Sequence, residues 1–216
     1  MKRESALGDL SQAVCVHAGL ELFWLCLYQQ IKEKLSPDRF THSLAVADAA
    51  VTMGRTFGGD LVKTAIAGML HDRAKDMPDS ELLAFAQEHS LISDQSEIDR
   101  PSLLHGPVAA CLAADEWGVD DEDILQSIRY HTTGEAGLCK EACIVFMADL
   151  IEPARSYPGV DTLRQLCRRD LKAAMIEALQ QTFIYVERVG KPLHSGARRC
   201  LDWLESERSI SWKAKS

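Results

Sequence analysis

His71 and Asp72 are adjacent in the chain, and four further potential metal ligands, His42, His105, His131 and Asp149, lie around them at wide, helix-compatible intervals. Neutral imidazole nitrogens and carboxylate oxygens are the donors that divalent transition metals of intermediate hardness select, and six of them are enough for two ions. Two ions about 3.5 to 4 Å apart can hold a bridging hydroxide, polarise a phosphoryl oxygen and stabilise the leaving oxygen of an in-line displacement. Such chemistry needs no covalent nucleophile. A two-metal hydrolase of phosphate esters is therefore the reading to test.

Each of these residues also has an ordinary explanation. A single histidine in a helical protein is usually a half-buried or solvated polar residue, and position alone promotes none of His17, His89 or His194. Asp72 stands three residues before Lys75, a spacing that forms a common Asp-Lys pair on a helix surface. Taken without context, that ion pair is the simpler account of the motif.

The elements that must carry these residues read as helices almost throughout, because apolar residues recur at spacings of three and four and no sustained period-two alternation appears. The fold class expected is all-α, a helical bundle. Ser36-Pro37 starts a long helix with a capping hydroxyl and a proline at the first helical position, and Gly58-Gly59 stops it, which puts His42 near its beginning. Asp60 caps the next helix, which brings His71 and Asp72 to its C-terminal end. Pro78 to His89 forms a short helix, and polar Ser90 to Ser102 reads as the longest loop, a candidate to close over a ligand. Pro107 opens a helix just after His105 and Gly106, and Gly118 ends it. Asp120 to Asp123 begins a helix that finishes at His131, followed by the Thr132-Thr133-Gly134 turn. Leu138 to Ile151 carries Asp149 and is interrupted by Pro153; Thr162 to Val189 and Gly196 to Arg208 complete the bundle as amphipathic helices.

Composition limits the function. The chain has 216 residues, 46% hydrophobic and 26% charged, which suits one soluble domain with short extensions. A formal charge of -8 disfavours a nucleic-acid surface, so a phosphate ligand must be met by metals and a few placed cations. Seven cysteines without a Cys-x-x-Cys pair fit a reducing cytoplasm better than a disulfide framework, and Cys139 and Cys143 read as small buried thiols. The apolar stretch Ala13 to Tyr28 is too short to span a bilayer and reads as a core or interface helix. No membrane partner is expected.

The stretches Arg39-Phe-Thr-His42-Ser43, Leu70-His-Asp-Arg-Ala-Lys75, Leu103-Leu-His105-Gly106, Tyr130-His131-Thr-Thr-Gly134 and Ala148-Asp149-Leu-Ile-Glu-Pro-Ala-Arg155 together resemble the HD-domain phosphohydrolases. More narrowly they resemble the symmetrical bis(5'-nucleosyl)-tetraphosphatases. The resemblance runs from about Leu35 to Leu204 and includes Gly190-Lys-Pro-Leu-His194. It implies an HD domain over 35–206 and leaves outside it a C-terminal tail over 207–216 and an N-terminal extension over 1–34, which reads as helical and could pack on the bundle, mediate homodimer formation or be disordered near Met1. Some relatives carry this domain fused to a nicotinate-nucleotide adenylyltransferase, of which the chain shows no sign.

The family pattern implies that His42, His71, Asp72 and Asp149 hold one divalent ion and that His105 and His131 add a second, with Asp72 as the bridge. Iron is the metal the resemblance favours; the donor set also admits manganese, cobalt or nickel. Asp72 and Lys75 would serve catalysis. Lys75 and Arg155 would neutralise the polyphosphate, with Arg39, Thr132, Thr133 and Gly134 as further contacts. The implied ligand is a dinucleoside polyphosphate, or an ADP-like nucleotide, with diadenosine tetraphosphate cut in the middle to two ADP. Another HD nucleotide phosphohydrolase acting on mononucleotides, or a metal- and nucleotide-binding protein without turnover, would share these motifs. Phe85, Tyr130 and Tyr157 are candidates to stack on a base, although core packing is their commoner use. Glu135 stands where relatives often have a basic residue, which would alter affinity for phosphate.

Overall fold

The computed structural model of the protein describes residues 18–207 and 212–214, and among them the chain is helical with no β-strand. The start of the extension, with Cys15 and His17, and most of the C-terminal tail lie outside the described residues. The helices are α1 (Ala18–Lys34), α2 (Pro37–Phe57), α3 (Leu61–Leu70), α4 (Asp79–Glu88), α5 (Gln95–Asp99), α6 (His105–Trp117), α7 (Glu122–Tyr130), α8 (Lys140–Ile151), α9 (Val160–Cys167), α10 (Leu171–Arg188) and α11 (Ser195–Ser206). A short 3₁₀ turn, Pro101–Leu104, joins α5 to α6. No helix among the described residues is long and apolar enough to cross a membrane.

The centre of the bundle is made by α2, α3, α7 and α8, with α6 laid along α7. Helix α3 is buried on every side from Thr64 to Leu70, and α8 from Ala142 to Ala148, so both run through the core. Close approach is built from glycine. A Cβ at Gly68 would lie 2.8 Å from Ala47 Cα, and one at Gly106 would lie 2.6 Å from the Arg129 carbonyl oxygen, so α3 sits against α2 and α6 against α7 backbone to backbone. These contacts carry the histidines of facing helices toward one another.

Several boundaries follow the sequence signals. Asp60 accepts from the Val62 and Lys63 N–H groups, and Gly58 and Gly118 end their helices in the left-handed region, at φ 73° and 64°. Others differ. The Ser36 hydroxyl does not cap α2; its backbone N–H donates to the Asp76 carboxylate instead, at 3.1 Å. Helix α6 begins at His105, two residues before Pro107, because the first turn of a helix needs no donor from a proline at its third position. Ser90 to Ser102 is not a long loop. Asp94 and Glu97 form a capping box that starts α5, and Ser96 and Glu97 are buried, so the polarity that reads as loop is spent on helix capping and internal hydrogen bonds. The thiol of Cys139 caps α8 by accepting from the Ala142 N–H, while Cys143 is buried one turn on.

Candidate metal centre

All six side chains singled out in the sequence converge on one buried point. His42 comes from the second turn of α2, His71 and Asp72 from the turn that closes α3, and His105 opens α6. His131 closes α7 and Asp149 lies near the end of α8. Three overlapping groups of these residues have donor atoms close enough to share an ion: His42, His71 and Asp72; His71, His131 and Asp149; and Asp72, His105 and His131.

The histidines share one arrangement. Nδ1 of His71, His105 and His131 lies 2.8, 2.6 and 2.8 Å from the carbonyls of Gly68, Ser102 and Ile128, each three residues back. A carbonyl only accepts, so each Nδ1 carries the proton and each Nε2 is left with a free lone pair. His42 does the same with a carboxylate, its Nδ1 standing 3.3 Å from Glu152 Oε1. The four Nε2 atoms face the common point. Nε2 of His71 is fully buried and makes no hydrogen bond, and Nε2 of His105 and His131 stand 2.9 Å apart, lone pair toward lone pair. A buried acceptor without a donor is costly, and a cation beside His71 Nε2 removes the cost, so these residues fit a metal.

Asp72 lies at the junction. Its Oδ2 is 3.6 Å from His42 Nε2 and 3.4 Å from His71 Nε2, while its Oδ1 is 3.3 Å from His105 Nε2 and 3.7 Å from His131 Nε2. Burial works against charge on this carboxyl, yet the neighbouring His71, His105 and His131 hold it far below the usual carboxylate range. Asp149 Oδ1 lies 3.0 Å from His42 Nε2; burial opposes its charge too, and His42 and His71 hold it low. Burial pulls the His105 imidazolium down to about 4, so this ring is neutral, the form that ligates. His71 moves the other way, as Asp72 and Asp149 outweigh its burial.

Three cations border the cluster. Arg39 Nη1 donates to Asp72 Oδ2 at 2.6 Å, and Arg155 pairs with Asp149 through Nη2 while its Nε reaches the Asp149 carbonyl at 2.8 Å. Lys75 Nζ lies 3.2 Å from His105 Nε2, and burial lowers its pKa. The surface Asp72-Lys75 pair is thus absent: Asp72 is 3% exposed and Lys75 points at a histidine. The Thr132 hydroxyl is 3.2 Å from His105 Nε2, whereas Thr133 and Gly134 are buried in the turn, Gly134 against Cys200 of α11. Glu135 pairs with Arg199. Phe85 stacks on His89 at 4.1 Å, and the Tyr157 hydroxyl donates to the Leu150 carbonyl.

Two residues that sequence reasoning passed over are essential to this geometry. Glu152 orients His42, and it stands three residues after Asp149 inside a motif already noted. Arg164 ties the end of α8 together, donating to the Ile151, Glu152 and Arg155 carbonyls at 3.1, 2.8 and 2.8 Å. Nothing local marks Arg164, since its acceptors lie in another helix and the loop after it.

A helical bundle closed around paired His and Asp donors defines a metal-dependent phosphohydrolase of the HD type, and the sequence profile of the HD domain matches residues 39–154. The chain belongs to the HD-domain family, in the group of the symmetrical bis(5'-nucleosyl)-tetraphosphatases. It is 35% identical over 176 residues to the protein of that name from Bacillus subtilis, covering 82% of this chain and 94% of the relative. The Staphylococcus aureus protein of the same name is 33% identical, with 80% of this chain and 89% of the relative covered. A crystal structure of a predicted HD superfamily hydrolase involved in NAD metabolism, from Clostridium acetobutylicum, superimposes with a TM-score of 0.81 at 32% identity, covering 85% of this chain and 97% of that one.

Proposed function

We propose that this protein hydrolyses diadenosine tetraphosphate and related dinucleoside polyphosphates symmetrically, giving two molecules of ADP, with two divalent ions bound at the six-residue cluster. The carrying observation is the divided carboxylate of Asp72, one oxygen toward His42 and His71 and the other toward His105 and His131. His42, His71, Asp72 and Asp149 would hold one ion, and Asp72, His105 and His131 the second. Iron is the first candidate, with manganese, cobalt and nickel compatible with the same nitrogen and oxygen donors. The relatives named as symmetrical tetraphosphatases support the substrate.

When bound, the ions supply an activated water, polarise the phosphoryl oxygen and stabilise the leaving oxygen. The chain's own residues do the rest. Four outward Nδ1–H bonds fix the ring planes so that each Nε2 is presented without reorganisation. Arg39, Lys75 and Arg155 set positive charge around the cluster, Lys75 as a point charge and the arginines as forks for phosphate oxygens. Thr132 adds a hydroxyl at the same edge. In atoms, one water enters: a P–O bond forms at one central phosphorus, the central anhydride bond breaks, and each product keeps two phosphates. The leaving ADP is stable as an anion at neutral pH, so no protein acid has to protonate it.

A reducing cytoplasm is the proposed compartment, since the described cysteines are all free thiols. The charge of -8 supports a small nucleotide over nucleic acid as partner. The test is product analysis. Anaerobically purified, metal-analysed protein incubated with diadenosine tetraphosphate should give ADP alone. A mixture of AMP and ATP would exclude the symmetric cut, and turnover of mononucleotides without turnover of the dinucleotide would point to the mononucleotidase reading.

A further inference from the structure

Away from the metal cluster, a second group of titratable residues is buried where α5 meets α11. Glu97 is 2% exposed and His194 7% exposed, and His194 Nε2 lies 3.2 Å from Glu97 Oε1. His194 also caps α11, its Nδ1 accepting the Gly196 N–H at 3.0 Å, which leaves the proton on Nε2 for Glu97. The second Glu97 oxygen accepts the N–H groups of Ser93 and Asp94 at 2.6 and 2.9 Å. Asp94 completes the clamp by accepting the Ser195 N–H at 3.0 Å.

This clamp fixes two chain segments at once. On one side, α5 is followed, after Arg100, by the 3₁₀ turn that leads into His105, and the Ser102 carbonyl of that turn is what orients the His105 ring. On the other side, the first turns of α11 seat the segment that follows His131. A Cβ at Gly196 would lie 2.9 Å from the Gly134 carbonyl oxygen, one at Gly134 would lie 3.1 Å from Cys200 Sγ, and Arg199 Nε donates to Glu135 at 2.7 Å. His105 and His131 are the two donors that, with Asp72, form one of the three ligand groups. None of these contacts reaches His42, His71 or Asp149.

We propose that His194 and Glu97 are positioning residues for the ion held by Asp72, His105 and His131, setting the spacing of the two histidines through α11. The inference rests on the two-ion reading given above. Two substitutions separate the functions of His194. Asn at this position keeps an N-cap acceptor but is too short for Glu97; Gln keeps a donor at the reach of Nε2 but loses the cap.

The experiment is metal titration of wild type, H194N and H194Q by elemental analysis and calorimetry, with thermal melting alongside. H194N should bind one of its two ions about ten-fold more weakly and the other unchanged, with a cooperative melt showing that it is folded, while H194Q keeps both affinities. If H194N does not fold, E97Q makes the same comparison, because its single carbonyl oxygen must choose between His194 and the backbone amides. Two ions bound at wild-type affinity in the folded variant, or both weakened in parallel, would overturn the positioning role alone. A wild type that binds a single ion overturns the two-ion reading and this inference with it.

Discussion

At Asp72 the two carboxylate oxygens have different partners, so under the proposed two-ion arrangement a substitution there takes a donor from each ion. Asp72→Ala should abolish binding of both ions and lower turnover by more than about 100-fold, well beyond the loss expected when only an outer hydrogen-bond partner is removed. Elemental analysis of the purified variant checks this, and two ions per chain in D72A would mean that Asp72 does not bridge. Glu152 gives a narrower prediction. It touches no other histidine, and it alone accepts the outward Nδ1–H of His42. Glu152→Gln should therefore weaken one ion by roughly ten-fold and spare the one that His105 and His131 hold. A metal titration in which both sites shift equally would show that Glu152 acts on the fold and not on His42.

Helices α6 and α7 approach as closely as they do because Gly106 has no side chain. Gly106→Ala places a methyl carbon against the Arg129 carbonyl, and backbone cannot yield as a flexible side chain would, so α6 must lift away and carry His105 from His131. The expected cost is about 1 to 3 kcal/mol in urea denaturation, with a weaker second ion as its companion. At α5 the outcome depends on pH. Burial alone would push the Glu97 carboxyl up, but His194 and the amides of Ser93 and Asp94 outweigh it and hold it below its ordinary 4.5. A depressed folded pKa adds stability that is present above the unfolded value and lost as pH falls through the folded one. Wild type should exceed E97Q by about 1.5 to 3 kcal/mol at neutral pH, the range for a hydrogen bond to a charged group, and the gap should close in acid below about 4.5. A gap independent of pH would show that the charge on Glu97 contributes nothing. These same elements mark where the sequence stops being legible. Asp60, Gly58 and Gly118 announce helix ends through neighbours in the chain, and the six ligand candidates stand out by residue type and motif. Glu97 and His194 meet across 97 positions, and Glu152 and His42 across 110, so no local pattern reveals them. Asp94, Ser96 and Glu97 look like loop because capping uses the same polar residues that solvated turns do.

At the centre of the bundle the facing Nε2 atoms of His105 and His131 repel one another, with Lys75 beside His105 alone. Ligand atoms come from α2, the end of α3, the start of α6, the end of α7 and α8, and the free lone pairs of His105 and His131 meet at 2.9 Å. Pulling the helices apart would relieve that repulsion, while the apolar core and the glycine contacts of α3 and α6 hold them in place. An ion held as proposed by this arrangement would find no comparable set of donors in the unfolded chain. Its binding energy therefore enters the folding equilibrium directly, about 2.7 kcal/mol for free metal at 100 times its Kd. For a chain of this length each kcal/mol moves the melting temperature by roughly 2 to 4 °C. Chelation should thus lower the melting temperature by about 5 to 10 °C, and added metal should restore it in a concentration-dependent way, since the shift follows the logarithm of metal over Kd. Scanning calorimetry before chelation, after it and after metal return makes the measurement. A melting temperature indifferent to all three conditions would mean that the cluster is held by the bundle alone and that the ions do not join its helices.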